Sequence, residues 1–273
     1  MSIALKLFLT PLLIAAASLA GRRWGPAVSG SLIGLPFTSG PITFLLALAR
    51  GRDFAAASAL GTLSATLSQV AFCLAYAWLA GRLRWPQALV AGILAFSVVT
   101  IALQPLMLPV LPATLCVCAG LVLATRLLPK AGGVSGAAGT PPAWDLPARM
   151  VAATLLVLLL TSLAPMLGAR LTGLLAPFPL YGTVLAVFMH QQRGPSAARR
   201  LLRGFVLGLS ATVGFYFVLA TLLVPGGPAL AFVLALATAL LLQSGSLWLL
   251  RAGAPSSPSV PHSPRAQASR LPS

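Results

Sequence analysis

The sequence predicts an all-α polytopic membrane protein with about nine transmembrane helices, and three observations carry that reading. Apolar residues make up 58% of the chain and charged residues only 7%, whereas soluble domains carry about 25% charged residues. Mean hydropathy is +0.96. Runs of roughly 20 apolar residues, enough to cross a hydrocarbon core, recur along the chain. The basic residues also sort by side. If nine spans alternate, Lys6, Arg50, Arg52 and Arg170 fall on one face of the membrane. The other face takes Arg22, Arg23, Arg82, Arg84, Arg126, Lys130, Arg149, Arg193, Arg199, Arg200, Arg203, Arg251, Arg265 and Arg270, fourteen of the eighteen. That asymmetry marks a cytoplasmic face. It predicts a bacterial inner-membrane protein with its N-terminus outside and its C-terminus cytoplasmic. The net charge of +16 is then a topology signal and a contact for anionic membrane lipid, not a nucleic-acid footprint.

In order, the spans are 3–20, 27–49, 54–80, 87–104, 107–128, 149–167, 169–190, 201–224 and 229–250. The first, Lys6 followed by Leu7 to Ala20, loosely fits a secretory signal. Residues 149–167 occupy the equivalent place in the second half, which predicts that the first segment stays as a helix. The second span holds Gly34-Leu35-Pro36-Phe37-Thr38-Ser39-Gly40-Pro41-Ile42-Thr43-Phe44, and the seventh holds Leu175-Ala176-Pro177-Phe178-Pro179-Leu180-Tyr181-Gly182-Thr183. Proline lacks the N–H a helix needs and clashes with the preceding turn, so each span should break near its centre.

The third and eighth spans share a pattern, Leu63-Ser64-Ala65-Thr66 and Leu209-Ser210-Ala211-Thr212. The fourth and ninth close each unit. The chain thus divides into a four-helix repeat over 1–104, a linker helix and cytoplasmic loop over 105–148, a second repeat over 149–250, and a disordered cytoplasmic tail over 251–273. The unmatched helix makes the second unit enter the membrane upside down, a 4+1+4 inverted repeat. Matched interrupted helices in two such halves point to a transport site at their crossing. Residues Pro36, Phe37, Thr38, Ser39, Gly40, Pro41, Thr43, Gln69, Pro177, Phe178, Pro179, Tyr181, Gly182 and Thr183 would bind substrate there. The competing reading is a simple proline kink with hydroxyls bonded back to their own helix.

The second unit resembles the GlpM family of small four-helix bacterial membrane proteins. The likeness lies in Thr172-Gly173-Leu174-Leu175-Ala176-Pro177-Phe178-Pro179, Val187-Phe188-Met189-His190, Arg193-Gly194, Ala198-Arg199-Arg200 and Gly204. The first unit shares Pro36-Phe37 and the loop beyond. The resemblance implies a duplicated four-helix unit and a connection with exopolysaccharide production, without an assigned chemistry.

Only Asp53 and Asp145 are acidic, and both are expected in loops, which argues against coupling through a buried carboxylate. The sequence carries no paired carboxylates, metal-ligand cluster or phosphate loop, so no enzyme activity, metal or cofactor is expected. Half-helix starts at the crossing favour an anionic or zwitterionic small solute, and alternating access is the mechanism read from the repeat. The alternatives are a passive ion channel of the fused dual-topology type, or a non-transporting subunit of an envelope polysaccharide or lipid machinery. Ser64, Thr66, Gly61, Ala65, Ser210, Thr212, Gly204 and Gly208 read as close helix packing. Gln104, Gln243 and His190 read as solvated helix ends, Arg170 as an interfacial anchor, and Cys73, Cys116 and Cys118 as apolar packing residues.

Overall fold

The computed structural model describes residues 3–37, 39–106, 108–129, 142, 144–175 and 177–252. Its secondary structure is helical throughout: α1 (Ile3–Trp24), α2 (Pro26–Ile33), α3 (Ser39–Arg50), α4 (Arg52–Leu79), α5 (Trp85–Leu103), α6 (Val110–Leu127), α7 (Asp145–Leu175), α8 (Leu180–Arg193) and α9 (Pro195–Ala252). Side chains of Lys6 and Arg170, and the residues Thr38 and 253–273, lie outside what is described.

The helices do not follow the expected spans one for one. Residues 27–49 form α2 and α3, separated by 34–38. No break falls between 149–167 and 169–190, because α7 is helical through that boundary. Gly168 costs a helix only about 1 kcal/mol, so nothing local stops it. The 31 residues of α7 extend about 46 Å at helical rise. Spans 201–224 and 229–250 are merged in α9, which turns at Gly227 (φ 76°) between Pro225 and Pro228. Its two arms fold back on each other, since a methyl group at Gly214 would meet Thr238 Cγ2 at 3.0 Å and overlap Leu242.

Among the described residues, four helices, α4, α5, α6 and α9, are long and apolar enough to cross a membrane. Their outward faces are apolar too. Val90, Leu94, Val98 and Ile101 on α5, Leu111, Leu115 and Leu123 on α6, and Val233, Leu236 and Leu241 on α9 are all exposed. A helix apolar on every side needs either a protein interior or lipid around it, so this is a membrane-embedded fold.

Side-chain contacts define the two ends of the bundle. Arg22 at the end of α1 meets Asp145 at the start of α7. Arg199 Nε donates to Ala77 O (2.9 Å), joining the start of α9 to the end of α4. Trp78 Nε1 donates to Leu127 O (3.0 Å), adding the end of α6. This end also carries Arg23, Arg82, Arg84, Arg126, Arg193, Arg200 and Arg203, with Trp24, Trp85 and Trp144 beside them. Tryptophans interleaved with arginines are what a membrane–water boundary collects. Arg52 lies instead at the opposite end, 3.8 Å from where a Gly227 methyl would sit.

The interior is drawn together by one glycine seam. A methyl group at Gly30 would overlap the Leu201 carbonyl, one at Gly204 the Ala27 carbonyl, and one at Gly208 the Ser31 carbonyl. At Gly34 it would lie 2.5 Å from Gly208 C. Helices α2 and α9 therefore touch backbone to backbone along two glycines four residues apart on each side, the small-residue packing that replaces the hydrophobic effect in lipid. Gly61, expected to pack in the same way, faces outward with nothing within 4 Å. Beyond each interrupted segment a glycine with positive φ, Gly51 (91°) or Gly194 (78°), turns the chain directly into the next long helix. L-residues avoid that region.

Two glycine substitutions should have opposite signs. Gly204→Ala has no room beside the Ala27 carbonyl and should cost about 1–3 kcal/mol by overpacking. Gly61→Ala should gain about 0.5–1 kcal/mol from helix propensity alone. Thermal unfolding in detergent reads both.

Candidate functional site

At the first interruption α2 tightens, with Gly34 N donating to Ser31 O and Leu35 N to Leu32 O. Pro36 has no N–H to continue. Phe37 N bonds Leu35 O (2.8 Å), and the helix restarts as Gly40 N bonds Pro36 O (2.9 Å). The second interruption uses the same steps. Leu180 N bonds Phe178 O across an inverse γ-turn at Pro179 (φ −77°, ψ 63°), and Thr183 N then bonds Pro179 O.

Each interruption frees a carbonyl, and each carbonyl is taken by the long helix that follows the other interruption. Gln69 Nε2 on α4 donates to Pro177 O at 2.8 Å. The Thr212 hydroxyl on α9 donates to Gly34 O. Away from water an unpaired carbonyl costs several kcal/mol, so the two irregular segments are held by exchange.

The ring contacts follow the same exchange. Phe178 sits edge-on to Phe72 of α4 (centroids 6.0 Å) and to Phe96 of α5 (5.3 Å). On the other side, Phe44 of α3 is edge-on to Phe232 (5.0 Å), which lies 6.1 Å from Phe215, both of α9. Each half-helix downstream of an interruption is thus wedged into the other half's helical pair.

The remaining site residues are distributed unevenly. Phe37 is 47% exposed and Pro41 is exposed, whereas Pro179, Gly182 and Thr183 are buried. Gly40 lies against the Phe215 ring and Gly182 against the Phe205 ring, each too close for a side chain without movement. Thr43 and Thr183 donate to Ser39 O and Pro179 O of their own helices, both at 2.9 Å, so these two hydroxyls follow the kink reading. The Tyr181 hydroxyl lies 3.4 Å from the buried Thr10 hydroxyl. These residues form two segments, one docked on α9 through Gly34 and Gly40 and the other on α4 through Pro177 and Phe178, and Thr38 lies outside the described residues.

Sequence reasoning missed Thr212 and Tyr216. The Leu-Ser-Ala-Thr pattern suggests helix packing for Thr212, yet in α4 the same pattern behaves differently: Thr66 donates to Thr62 O of its own helix. The Tyr216 hydroxyl, one turn beyond Thr212 and fully buried, lies against the hydroxyls of Ser39 and Thr43. The only sequence signal for it was a tyrosine inside an apolar span.

Three polar residues read as solvated or loop-borne are buried. Gln243 donates to Ser31 Oγ (2.7 Å), because the returning arm of α9 covers α2. His190 is 9% exposed and its Nδ1 lies 3.3 Å from the Tyr76 hydroxyl, because the end of α8 packs on the end of α4. Gln104 is exposed as expected; of the three cysteines expected to pack, Cys73 is buried but Cys116 and Cys118 are exposed on the outer face of α6.

Asp145 is the third. It is the first residue of α7 and 1% exposed, not a loop residue, because α1, α7 and α8 converge on it. Its carboxylate accepts from Arg149 Nε (2.7 Å), Gln192 Nε2 (2.6 Å) and Arg22 (3.2 Å). Burial, the largest influence, pushes its pKa up. The bonds from Arg149, Gln192 and Arg22 and the charge of Arg149 outweigh it and hold the carboxyl below its ordinary 3.8. Asp53 is exposed near the start of α4. The chain therefore does bury a carboxylate, committed to arginines at the basic end and away from both interruptions.

No protein family, characterised protein or solved structure matches the chain.

Removing one clamp leaves its carbonyl unpaired. Gln69→Leu and Thr212→Val should each destabilise by about 1–3 kcal/mol. Thr66→Val, whose carbonyl partner keeps its own helical N–H, should cost under about 1 kcal/mol; equal losses at Thr66 and Thr212 would contradict the exchange. Asp145 supplies a pH test. Its lowered folded pKa gives stability fully present above the unfolded value near 3.8 and lost as pH falls through the lower folded value. Wild type should thus lose more thermal stability on acidification below pH 4 than Asp145→Asn, which lacks that contribution at every pH.

Proposed function

We propose that this protein is an inner-membrane carrier for a small polar solute, anionic or zwitterionic, working by alternating access. Residues 1–104 and 149–250 act as two inverted four-helix units joined by α6, with the basic end in the cytoplasm. The observation that carries the reading is the reciprocal clamp, Gln69 on Pro177 O and Thr212 on Gly34 O. Irregular backbone is kept at mid-membrane in both units, and each unit holds the other's. A scaffold gains nothing from two costly interruptions. A carrier needs backbone polarity at its centre and two bodies that move about it.

Further support comes from the parallel order of parts, interruption, half-helix, positive-φ glycine and long helix, which occurs in α2–α4 and again in α7–α9. Arginines gathered at one end support a cytoplasmic assignment for it. Rocking would exchange partners at the two carbonyls and slide α2 along α9 at the glycine seam, which joins the two units. The resemblance to the GlpM family is compatible with a solute or a lipid-linked precursor of the cell envelope as cargo.

Solute flux into proteoliposomes tests the proposal, with wild type beside Pro36→Ala/Pro177→Ala over a panel of small anions and zwitterions. Saturable flux in wild type, lost at least ten-fold in the folded double variant, is the expected result. Absence of flux for every solute, or flux indifferent to both prolines, would sink the carrier reading and leave the interruptions as packing kinks. Currents without saturation would instead identify a channel.

A further inference from the structure

We propose that the Arg22–Asp145 pair is the latch of a gate at the basic end, and that this gate is shut in the structure. The inference rests on the carrier reading for its purpose, because a body that admits solute from two sides in turn needs a closure on each.

The two halves of the chain, α1–α5 and α7–α9, are bonded to each other most heavily at the basic end. Arg22 Nη2 of α1 donates to Asp145 Oδ2 of α7 (3.2 Å). The Tyr76 hydroxyl of α4 lies 3.3 Å from His190 Nδ1 of α8, and Arg199 Nε of α9 donates to Ala77 O of α4 (2.9 Å). The glycine seam belongs to the same half of the bundle, since it runs from Ala27 and Gly204, near the starts of α2 and α9, through to Gly34 and Gly208. At the opposite end, around Gly51 and Gly227, no hydrogen bond or ion pair joins the halves among the described residues. Phe44 meets Phe232 there through their rings.

The two downstream half-helices report the same inequality. On the inverted reading α3 and α8 are counterparts, α3 running from its interruption toward Gly51 and α8 from its own toward the basic end. Two equally closed ends would bury them equally. Seven of the fourteen residues of α8 are buried, but only three of the twelve of α3. Leu45 and Leu48 of α3 are 46% and 63% exposed. The basic end is therefore the closed one.

Of the three polar ties, Arg22–Asp145 is the one whose parts can separate without stranding either. Asp145 is 1% exposed and also accepts from Arg149 Nε (2.7 Å) and Gln192 Nε2 (2.6 Å), both of its own half. Losing Arg22 leaves that carboxylate paired, so the heavy cost of a bare buried charge does not arise. The Arg22 side chain is 31% exposed and meets water as it leaves. Arg199 has no such freedom, because its guanidinium is packed so closely on Gly81 that a methyl group there would overlap it. A bond that releases a solvated arginine from a carboxylate still held by its own half can be broken and remade in every cycle.

The test reads opening, not flux. The full chain is placed in lipid nanodiscs with Cys73, Cys116 and Cys118 replaced by alanine and one reporter cysteine added. Ala77→Cys reports the basic end and Ala231→Cys the opposite end, both positions being 0% exposed. Arg22→Ala should speed modification of the Ala77→Cys reporter by a membrane-impermeant maleimide about ten-fold. It should leave the Ala231→Cys reporter as slow as in the parent. Arg22→Lys keeps the charge and should return the rate toward the parent's. Asp145→Asn should act as Arg22→Ala does, and serves if that variant does not fold. Equal acceleration of both reporters would mean general loosening and would overturn the latch, as would an unchanged rate at Ala77→Cys. Acceleration at the basic end alone, without flux of any solute, would leave the latch standing and remove the carrier. Saturable flux with the Ala77→Cys reporter unmoved by Arg22→Ala would do the reverse.

Discussion

A backbone carbonyl released from its helix and buried among apolar side chains has no water to turn to, and this constraint organises the whole molecule. Proline forces such a release at Pro36 and again at Pro177. Neither gap is closed by its own segment. Gln69 reaches Pro177 O from α4, and Thr212 reaches Gly34 O from α9. Once those bonds are required, α4 must pass the second interruption and α9 the first. The wedging of Phe178 between Phe72 and Phe96 and the approach of Phe44 to Phe232 follow from the same crossing. The glycines of α2 and α9 are its steric condition, because Thr212 can reach Gly34 only if the two backbones touch.

Charge is handled in the opposite way, by removal to the ends. Arginines and tryptophans crowd the end where α1, α4, α6 and α8 finish and α7 and α9 begin. The one buried carboxylate is spent there, holding Arg22 and Arg149 with help from Gln192. Arg149 also lies 5.3 Å over the Phe188 ring, so its charge is met on two sides. The cluster ties three helices together where the apolar layer stops, which is why a chain with so few acidic groups still closes its basic end firmly. Among the described residues it leaves the centre with hydroxyls, amides and helix ends as its polar chemistry.

That division sets what the centre can recognise. Side-chain charge is missing from the first two turns of α3 and from the middle of α9, and two threonines that looked available are bonded to their own helices. Polarity remains at the start of α3, where the buried Tyr216 hydroxyl lies against those of Ser39 and Thr43. The segments around Pro36 and Pro177 are alike in backbone plan but not in polar side chains, so on the proposed carrier reading a solute would meet different chemistry at the two.

The sequence by itself determined an all-helical membrane chain, the positions where two helices must stop, and the side on which arginine collects. These rest on properties local to the chain: apolar run length, the missing proline N–H and the count of charges per loop. Tertiary structure decided which polar residues matter. Thr66 and Thr212 stand in the same Leu-Ser-Ala-Thr pattern, yet only Thr212 faces a freed carbonyl. Gly61 and Gly204 are both helical glycines, yet only Gly204 meets another backbone. Gln243, His190 and Asp145 look like helix ends or loops in one dimension and are buried in three. The continuous α7 shows the same limit, since a glycine marks a possible stop without enforcing one. Periodicity along a chain reports what a segment can form; which atom waits opposite each side chain is fixed only when the segments cross.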